Sequence, residues 1–136
     1  MQAHISPRTI RQLRAAEGYL ELNMPSHALD ELQSIEDAGL FEAPRQYMTG
    51  YALKEQDRFE EAIPAFEAAA RLMPSPQRRV AWKALSECYR ECGNDRLADL
   101  AASLSKNATK VKVRLPSIEF FLTKQRETNP TPESRR

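Results

Sequence analysis

The chain is poor in the residues on which several common classes of protein depend. It has two cysteines and four glycines among its 136 residues. Two cysteines are too few for a disulfide framework and indicate a reducing compartment. No apolar run approaches the roughly 18 residues that cross a bilayer. The first residues show no basic start followed by an apolar stretch, so we expect no signal peptide. These absences predict a soluble, cytoplasmic protein.

Residues that carry out chemistry are also scarce. The sequence has no Gly-rich phosphate loop, and His4 and His27 have neither a nearby nucleophile nor the spacing of metal ligands. Cys88 and Cys92 lie four residues apart, so they form either a thiol pair or half of a metal site, or they are small apolar residues packed between helices. Packing as a small apolar residue is the commoner state of a free cysteine. We therefore predict no catalysis, no metal and no cofactor.

The charge is balanced over the whole chain but not along it. Twenty basic and nineteen acidic residues give a net charge of +1, which argues against a general polyanion binder. No acidic residue lies between Asp99 and Glu119, and that interval contains four basic residues: Lys106, Lys110, Lys112 and Arg114. This run either contacts phosphate or anionic lipid, or is a solvated linker, as short charge runs usually are.

Apolar residues at helical spacing predict six helices. Prolines open several of them, because a first-turn proline loses no hydrogen bond. The helices are expected to begin near Pro7, Pro25, Pro44, Phe59, Ser75-Pro76 and Leu97. Pro64 lies about one turn inside the fourth helix, so we expect that helix to bend slightly or to begin late.

The pattern changes after Ser105. Polar and apolar residues alternate over residues 109–115, which predicts an extended segment. Residues 116–125 are expected to form a short helix with Ile118, Phe121 and Leu122 on one face. The chain is expected to be disordered from Thr128. The sixth helix has an apolar stripe, Leu97, Leu100 and Leu104, that no later helix pair covers, so the short helix folds back on it or docks on a partner.

Small and aromatic residues recur with a period of about 34. Ala28, Ala62 and Ala98 are 34 and 36 residues apart, and Tyr19 and Tyr89 lie nine residues before the first and the third of them. The middle copy is the most specific, with further members at fixed spacing: Gly50, Phe59, Ala62, Phe66, Ala69 and Pro74. A repeat of this length is typical of a helical solenoid.

On these residues the chain resembles the tetratricopeptide repeat proteins. The resemblance implies an all-α fold, namely a right-handed superhelical solenoid of three antiparallel helix pairs. The repeats would cover about 9–42, 43–78 and 79–105, after an N-terminal lead over 1–8. A basic extended segment with a short helix would follow over 106–126, and a disordered tail over 127–136. The implied function is a non-catalytic adaptor or scaffold.

In this family the first helix of each pair lines a concave groove. Carried over to this chain, the groove residues are Leu13, Glu17, Leu20, Tyr47, Met48, Tyr51, Lys54, Lys83, Glu87 and Arg90. The aromatic and methionine side chains are candidates for receiving a bulky side chain of a partner, unless they merely pack between neighbouring helices. The Lys and Asn clamp with which some relatives grip a terminal carboxylate is absent, because its places hold Leu13, Glu17, Met48, Val80 and Ala84.

Three hypotheses about the function follow from these observations. The first is a partner protein or peptide bound in the groove, without a small-molecule substrate. The second is a self-associating module or a small three-repeat secretion chaperone, with residues 118–122 docking on another copy. The third is an accessory contact with nucleic acid or anionic membrane through residues 106–114.

Overall fold

The chain is all-α over residues 6–75 and 77–106, which are the residues that the computed structural model describes. These residues contain no strand and form six α-helices: α1 (Pro7–Glu21), α2 (Pro25–Gln33), α3 (Glu42–Glu55), α4 (Phe59–Leu72), α5 (Arg78–Glu91) and α6 (Asp95–Leu104). A short 3₁₀ helix, Gly39–Phe41, precedes α3. The predicted all-α class is confirmed to this extent.

Local sequence signals set the helix starts. The Ser6 hydroxyl accepts a hydrogen bond from the Arg8 N–H at 3.1 Å, and the Asn94 side chain accepts one from the Leu97 N–H at 3.2 Å. Each bond satisfies one of the free N–H groups at a helix N-terminus. Pro7 and Pro25 occupy first-turn positions of α1 and α2, where the missing N–H costs nothing.

Three helix starts differ from the predicted positions. Helix α3 begins at Glu42 and not at Pro44, because the first turn of a helix tolerates a proline as well as its first position does. Helix α5 begins at Arg78 and not at Ser75-Pro76, and α6 begins at Asp95 and not at Leu97. Helix α4 begins at Phe59, as predicted, and continues through Pro64, so of the two expectations for Pro64 the late start is wrong. Pro64 and Glu60 are both exposed, and the lost hydrogen bond therefore lies at the surface.

One turn geometry occurs three times. A left-handed residue follows α1, α3 and α5: Asn23 and Asp57 have φ of 59°, and Gly93 has φ of 81°. The N–H of the next residue bonds back to a carbonyl five residues earlier in all three turns, from Met24 to Tyr19 (2.8 Å), Arg58 to Leu53 (2.9 Å) and Asn94 to Tyr89 (2.8 Å). This is the Schellman arrangement of a helix C-terminus.

Each of these turns leads into a buried alanine. Ala28, Ala62 and Ala98 each lie five residues after the left-handed residue, and each is fully buried. Each also donates its backbone N–H to the residue that ends the turn, at 3.0 to 3.1 Å. A side chain this small lets neighbouring helices approach closely. The chain therefore has the same turn before α2, α4 and α6, and a buried alanine in the first turn of each. We call Ala28, Ala62 and Ala98 the contact alanines.

The core is densest between α3 and α4. The Tyr47 and Phe66 rings meet edge to face, with centroids 5.5 Å apart and planes at 66°. Gly50 lies against the same ring, and a Cβ added there would come within 2.9 Å of Phe66. Helix α3 also contacts α2 and α4, and α4 contacts α5.

Helix α6 contacts α5 but keeps an exposed apolar side. Its buried side consists of Ala98 and Ala101. The predicted stripe is open to solvent within the described part of the chain: Leu97 is 39% exposed, Leu100 58% and Leu104 48%. The predicted extended segment, short helix and tail after residue 106 lie outside the described residues, as does the start of the N-terminal lead.

Candidate partner-binding surface

Helices α1, α3 and α5 lie side by side. Helix α1 contacts α3, and α3 contacts α5, although each pair is separated by an intervening helix in the sequence. We name the surface that they share the α1–α3–α5 face. All ten predicted groove residues come from these three helices, but the structure divides them into a buried and an accessible set.

Four predicted groove residues are core residues. Leu13, Tyr47 and Met48 have no exposed surface, and Leu20 is 5% exposed. The expectation that Tyr47 and Met48 receive a partner's side chain is therefore wrong, and the alternative that they pack between neighbouring helices describes them. Leu13 and Leu20, which were predicted to line the groove, are core residues too. Their apolar side chains are removed from water by α1, α3 and the helices packed on them, which is where large apolar residues are most stable.

Tyr51, Lys54 and Glu87 remain accessible and join α3 to α5. The Lys54 ammonium forms an ion pair with the Glu87 carboxylate, and the two side chains are 26% and 42% exposed. An ion pair this open to solvent contributes little to stability. The pair does connect side chains of α3 and α5 across the face. Tyr51 is half-buried beside it.

The Tyr47 hydroxyl is buried without a hydrogen-bond partner among the described residues. Burial raises the pKa of Tyr47 far above its ordinary value, and the charges of Tyr51 and Glu87 raise it further. Burial also raises the pKa of Tyr51, with Glu55 adding to the shift. Both phenols therefore stay neutral at physiological pH.

The remaining predicted residues differ in their surroundings. Lys83 and Glu17 are partly exposed on α5 and α1, and Glu17 takes part in a further interaction. Arg90 was expected to line the groove, but its partners are on α6: Asp99 at 3.1 Å and Asp95 at 3.9 Å. Its described contacts therefore tie α5 to α6.

The two cysteines do not act together. Cys88 is buried, and burial raises its pKa to about 11, so its thiol is protonated at neutral pH. Cys92 is exposed in the turn after α5, which corrects the expectation that both pack between helices. The structurally described residues hold no group of three His, Cys, Asp or Glu that would bind a metal ion.

Sequence reasoning missed a second accessible surface. Three arginines and Trp82 line a cleft that α4, α5 and α6 enclose with the loop before α5. The adjacent Arg78 and Arg79, four and three residues before the only tryptophan of the sequence, were a visible signal. Their convergence with Arg71 depends on the packing of α4 on α5 and has no local pattern in the sequence.

No family model matches the chain, and no curated protein matches it. Among residues 6–75 and 77–106, none of the helices has the length and apolar character needed to cross a membrane.

Proposed function

We propose that the protein is a non-catalytic interaction module of three tetratricopeptide-like helix pairs, α1–α2, α3–α4 and α5–α6, arranged as a right-handed solenoid. The observation that carries this proposal is the threefold recurrence of the left-handed turn and the buried alanine after it. Repeated units of this kind bury their apolar faces by stacking on one another. The residues that distinguish the units are then free to bind a partner.

The binding surface in this proposal is the accessible part of the α1–α3–α5 face. Support comes from the contacts of α1 with α3 and of α3 with α5, which bring side chains of three helices onto one face. Tyr51 offers an apolar contact there, the Lys54–Glu87 ion pair joins α3 to α5, and Lys83 adds a charge from α5. A partner segment with one large apolar side chain and mixed charge fits this chemistry.

The absence of catalysis is part of the proposal. A reactive cysteine needs a lowered pKa and access to solvent, whereas Cys88 is buried with a pKa of about 11. On the α1–α3–α5 face, Lys54 and Glu87 form an ion pair, and Tyr47 and Tyr51 are phenols with raised pKa values.

Selection from a random displayed-peptide library on the full-length chain tests this function. Selected peptides should bind the wild type and lose about tenfold in affinity with Tyr51→Ala or Lys83→Glu. Arg14→Gln, an exposed change on α1, is the matched control and should bind as the wild type does. Peptides that bind all four proteins equally would contradict the placement of the site. Failure to select any peptide would contradict the proposed function.

Self-association is a second candidate, and the exposed Leu97, Leu100 and Leu104 favour it. Contiguous exposed apolar residues often mark an interface. Light scattering should then give a dimer mass for the wild type and a monomer mass for Leu100→Gln. A monomeric wild type would contradict this candidate. The proposed nucleic-acid or membrane contact depends on residues 106–114, of which Lys106 alone lies within the described range.

A further inference from the structure

The cleft between α4, α5 and α6 is a second surface, separate from the α1–α3–α5 face. Its volume is about 760 Å³. Glu67, Ala70 and Arg71 line it from α4, Arg78, Arg79 and Trp82 from α5, and Leu104 from α6, with Ser75 at one end. It therefore combines three guanidinium groups with an indole ring and an exposed leucine.

The arginines in this cleft have no acidic partner within the part of the chain that the structure describes. Arg71 and Arg79 form none of the ion pairs found there. Arg78 donates its Nε–H to the Met73 carbonyl at 3.1 Å, which holds the side chain without neutralising it. Glu67, the one acidic lining residue, is close enough to Tyr89 to raise the pKa of that phenol.

The positive charge is local. Residues 6–106 contain thirteen basic and sixteen acidic side chains, so the body that surrounds the cleft has a net charge of −3. This net negative charge disfavours an extended polyanion, which would contact more of the protein than the arginines alone. A short acidic segment would contact only the cleft.

We propose that this cleft binds an acidic peptide segment of a partner protein that carries one large apolar side chain. Guanidinium groups form bidentate, charge-assisted hydrogen bonds with carboxylates. Trp82 and Leu104 offer an apolar contact beside them, and arginine and tryptophan are the residues that most often dominate binding at interfaces. The charge and apolar character of the cleft thus match both parts of the segment.

The chain's own C-terminal segment is a poorer occupant by charge. Residues 107–136 contain seven basic and three acidic side chains. A net charge of +4 would be repelled by three arginines, whereas an acidic segment of another protein is attracted. The partner is therefore assigned as a different protein.

Trp82 provides the readout, because it is the only tryptophan in the chain. The probe is a capped six-residue peptide of five acidic residues and one phenylalanine, added to the full-length protein at low salt. We expect a saturable change in tryptophan emission, and weaker binding as salt is raised. Replacing the acidic residues by lysine should abolish the change. Replacing the phenylalanine by alanine should weaken binding severalfold.

Arg71→Gln and Arg79→Gln should each weaken binding about fivefold. Arg14→Gln, on α1 outside the cleft, should bind within twofold of the wild type. The far-ultraviolet circular dichroism of each variant shows whether it is folded, and we expect no change because these arginines are not buried.

Four results would overturn the proposal. One is the absence of a saturable change at millimolar peptide, and another is equal binding by the wild type, Arg71→Gln and Arg79→Gln. A third is tighter, arginine-dependent binding of a ten-nucleotide uridine RNA, which would assign the cleft to nucleic acid. The fourth is a shift in the emission of the free protein on Phe121→Ser, which would place the chain's own C-terminal segment against Trp82.

Discussion

Helices α4 and α6 begin with the same turn and contact alanine but differ in what covers them. Around α3 and α4, Tyr47, Met48 and Phe66 are wholly buried. Helix α6 buries alanines and leaves Leu97 and Leu100 exposed. The turn before α4 is the same as the turn before α6, so this local signal sets where each helix begins. The helices packed against it decide how much of it is buried.

The largest contrast should come from removing one apolar side chain from each region. Phe66→Ala empties a site at the centre of the core and should cost about 3–5 kcal/mol of unfolding free energy. Leu100→Ala removes a side chain that is 58% exposed and should change the free energy by less than about 0.5 kcal/mol. Urea unfolding measures both. Similar losses would show that α6 is covered as fully as α4.

Two glycine substitutions sharpen the contrast between crowded and open helix surfaces. Gly50→Ala places a Cβ within 2.9 Å of the Phe66 ring, and we expect a loss of about 1–3 kcal/mol from overpacking. Gly18→Ala meets no described atom within 4 Å and should gain about 0.5–1 kcal/mol from helix propensity. Urea unfolding of each variant shows whether the substitution lowers or raises the free energy of unfolding. A stabilising Gly50→Ala would mean that α3 and α4 are packed less closely there.

The contact alanines test whether equivalent positions behave equally. Ala62→Leu should cost about 1–3 kcal/mol, because α4 is held by helices on both sides. Ala98→Leu should cost about half as much, since α6 lies at the edge of the described stack and can shift outward. A neutral Ala62→Leu would mean that this residue is not at a close helix–helix contact.

The turns should respond according to their left-handed residue. Gly93→Ala puts a Cβ at φ of 81° and should cost about 1–2 kcal/mol. Asp57→Gly relieves a side chain at φ of 59° and should gain up to about 1 kcal/mol, less the entropy that glycine loses on folding. Thermal unfolding measures both variants. If the two changes shifted the melting temperature equally, the turns would not be equivalent.

The smallest effect concerns pH and the buried thiol of α5. Burial raises the pKa of Cys88 from its ordinary 9.0 to about 11, so the folded chain holds this proton more tightly than the unfolded chain. The resulting stability is fully present below pH 9 and is lost as pH rises toward 11. Between these values the melting temperature of the wild type should fall more steeply than that of Cys88→Ala. Parallel slopes would show that the thiol is solvated.

The number of helices was predictable because apolar spacing, prolines and small contact residues are local features of the sequence. The burial of Tyr47 and Met48 was not, since helical spacing shows that both face protein without showing whether a core or a groove lies there. The start of α3 at Glu42 was missed because a proline suits more than one first-turn position. The cleft at Trp82 was missed because three separate helices form it.

The central claim is that α4 and α6 begin with the same turn and alanine and differ in burial because different helices pack against them. Amide hydrogen exchange of the full-length chain, followed by nuclear magnetic resonance, tests this claim most directly. Exchange from the centre of a cooperative core requires unfolding, whereas an exposed edge opens locally. We expect the slowest exchange at Ala52, Leu53 and Ala69 in α3 and α4, and markedly faster exchange at Ala101 in α6. Equal protection at Ala101 would contradict the account, because α6 would then be as fully covered as the central helices.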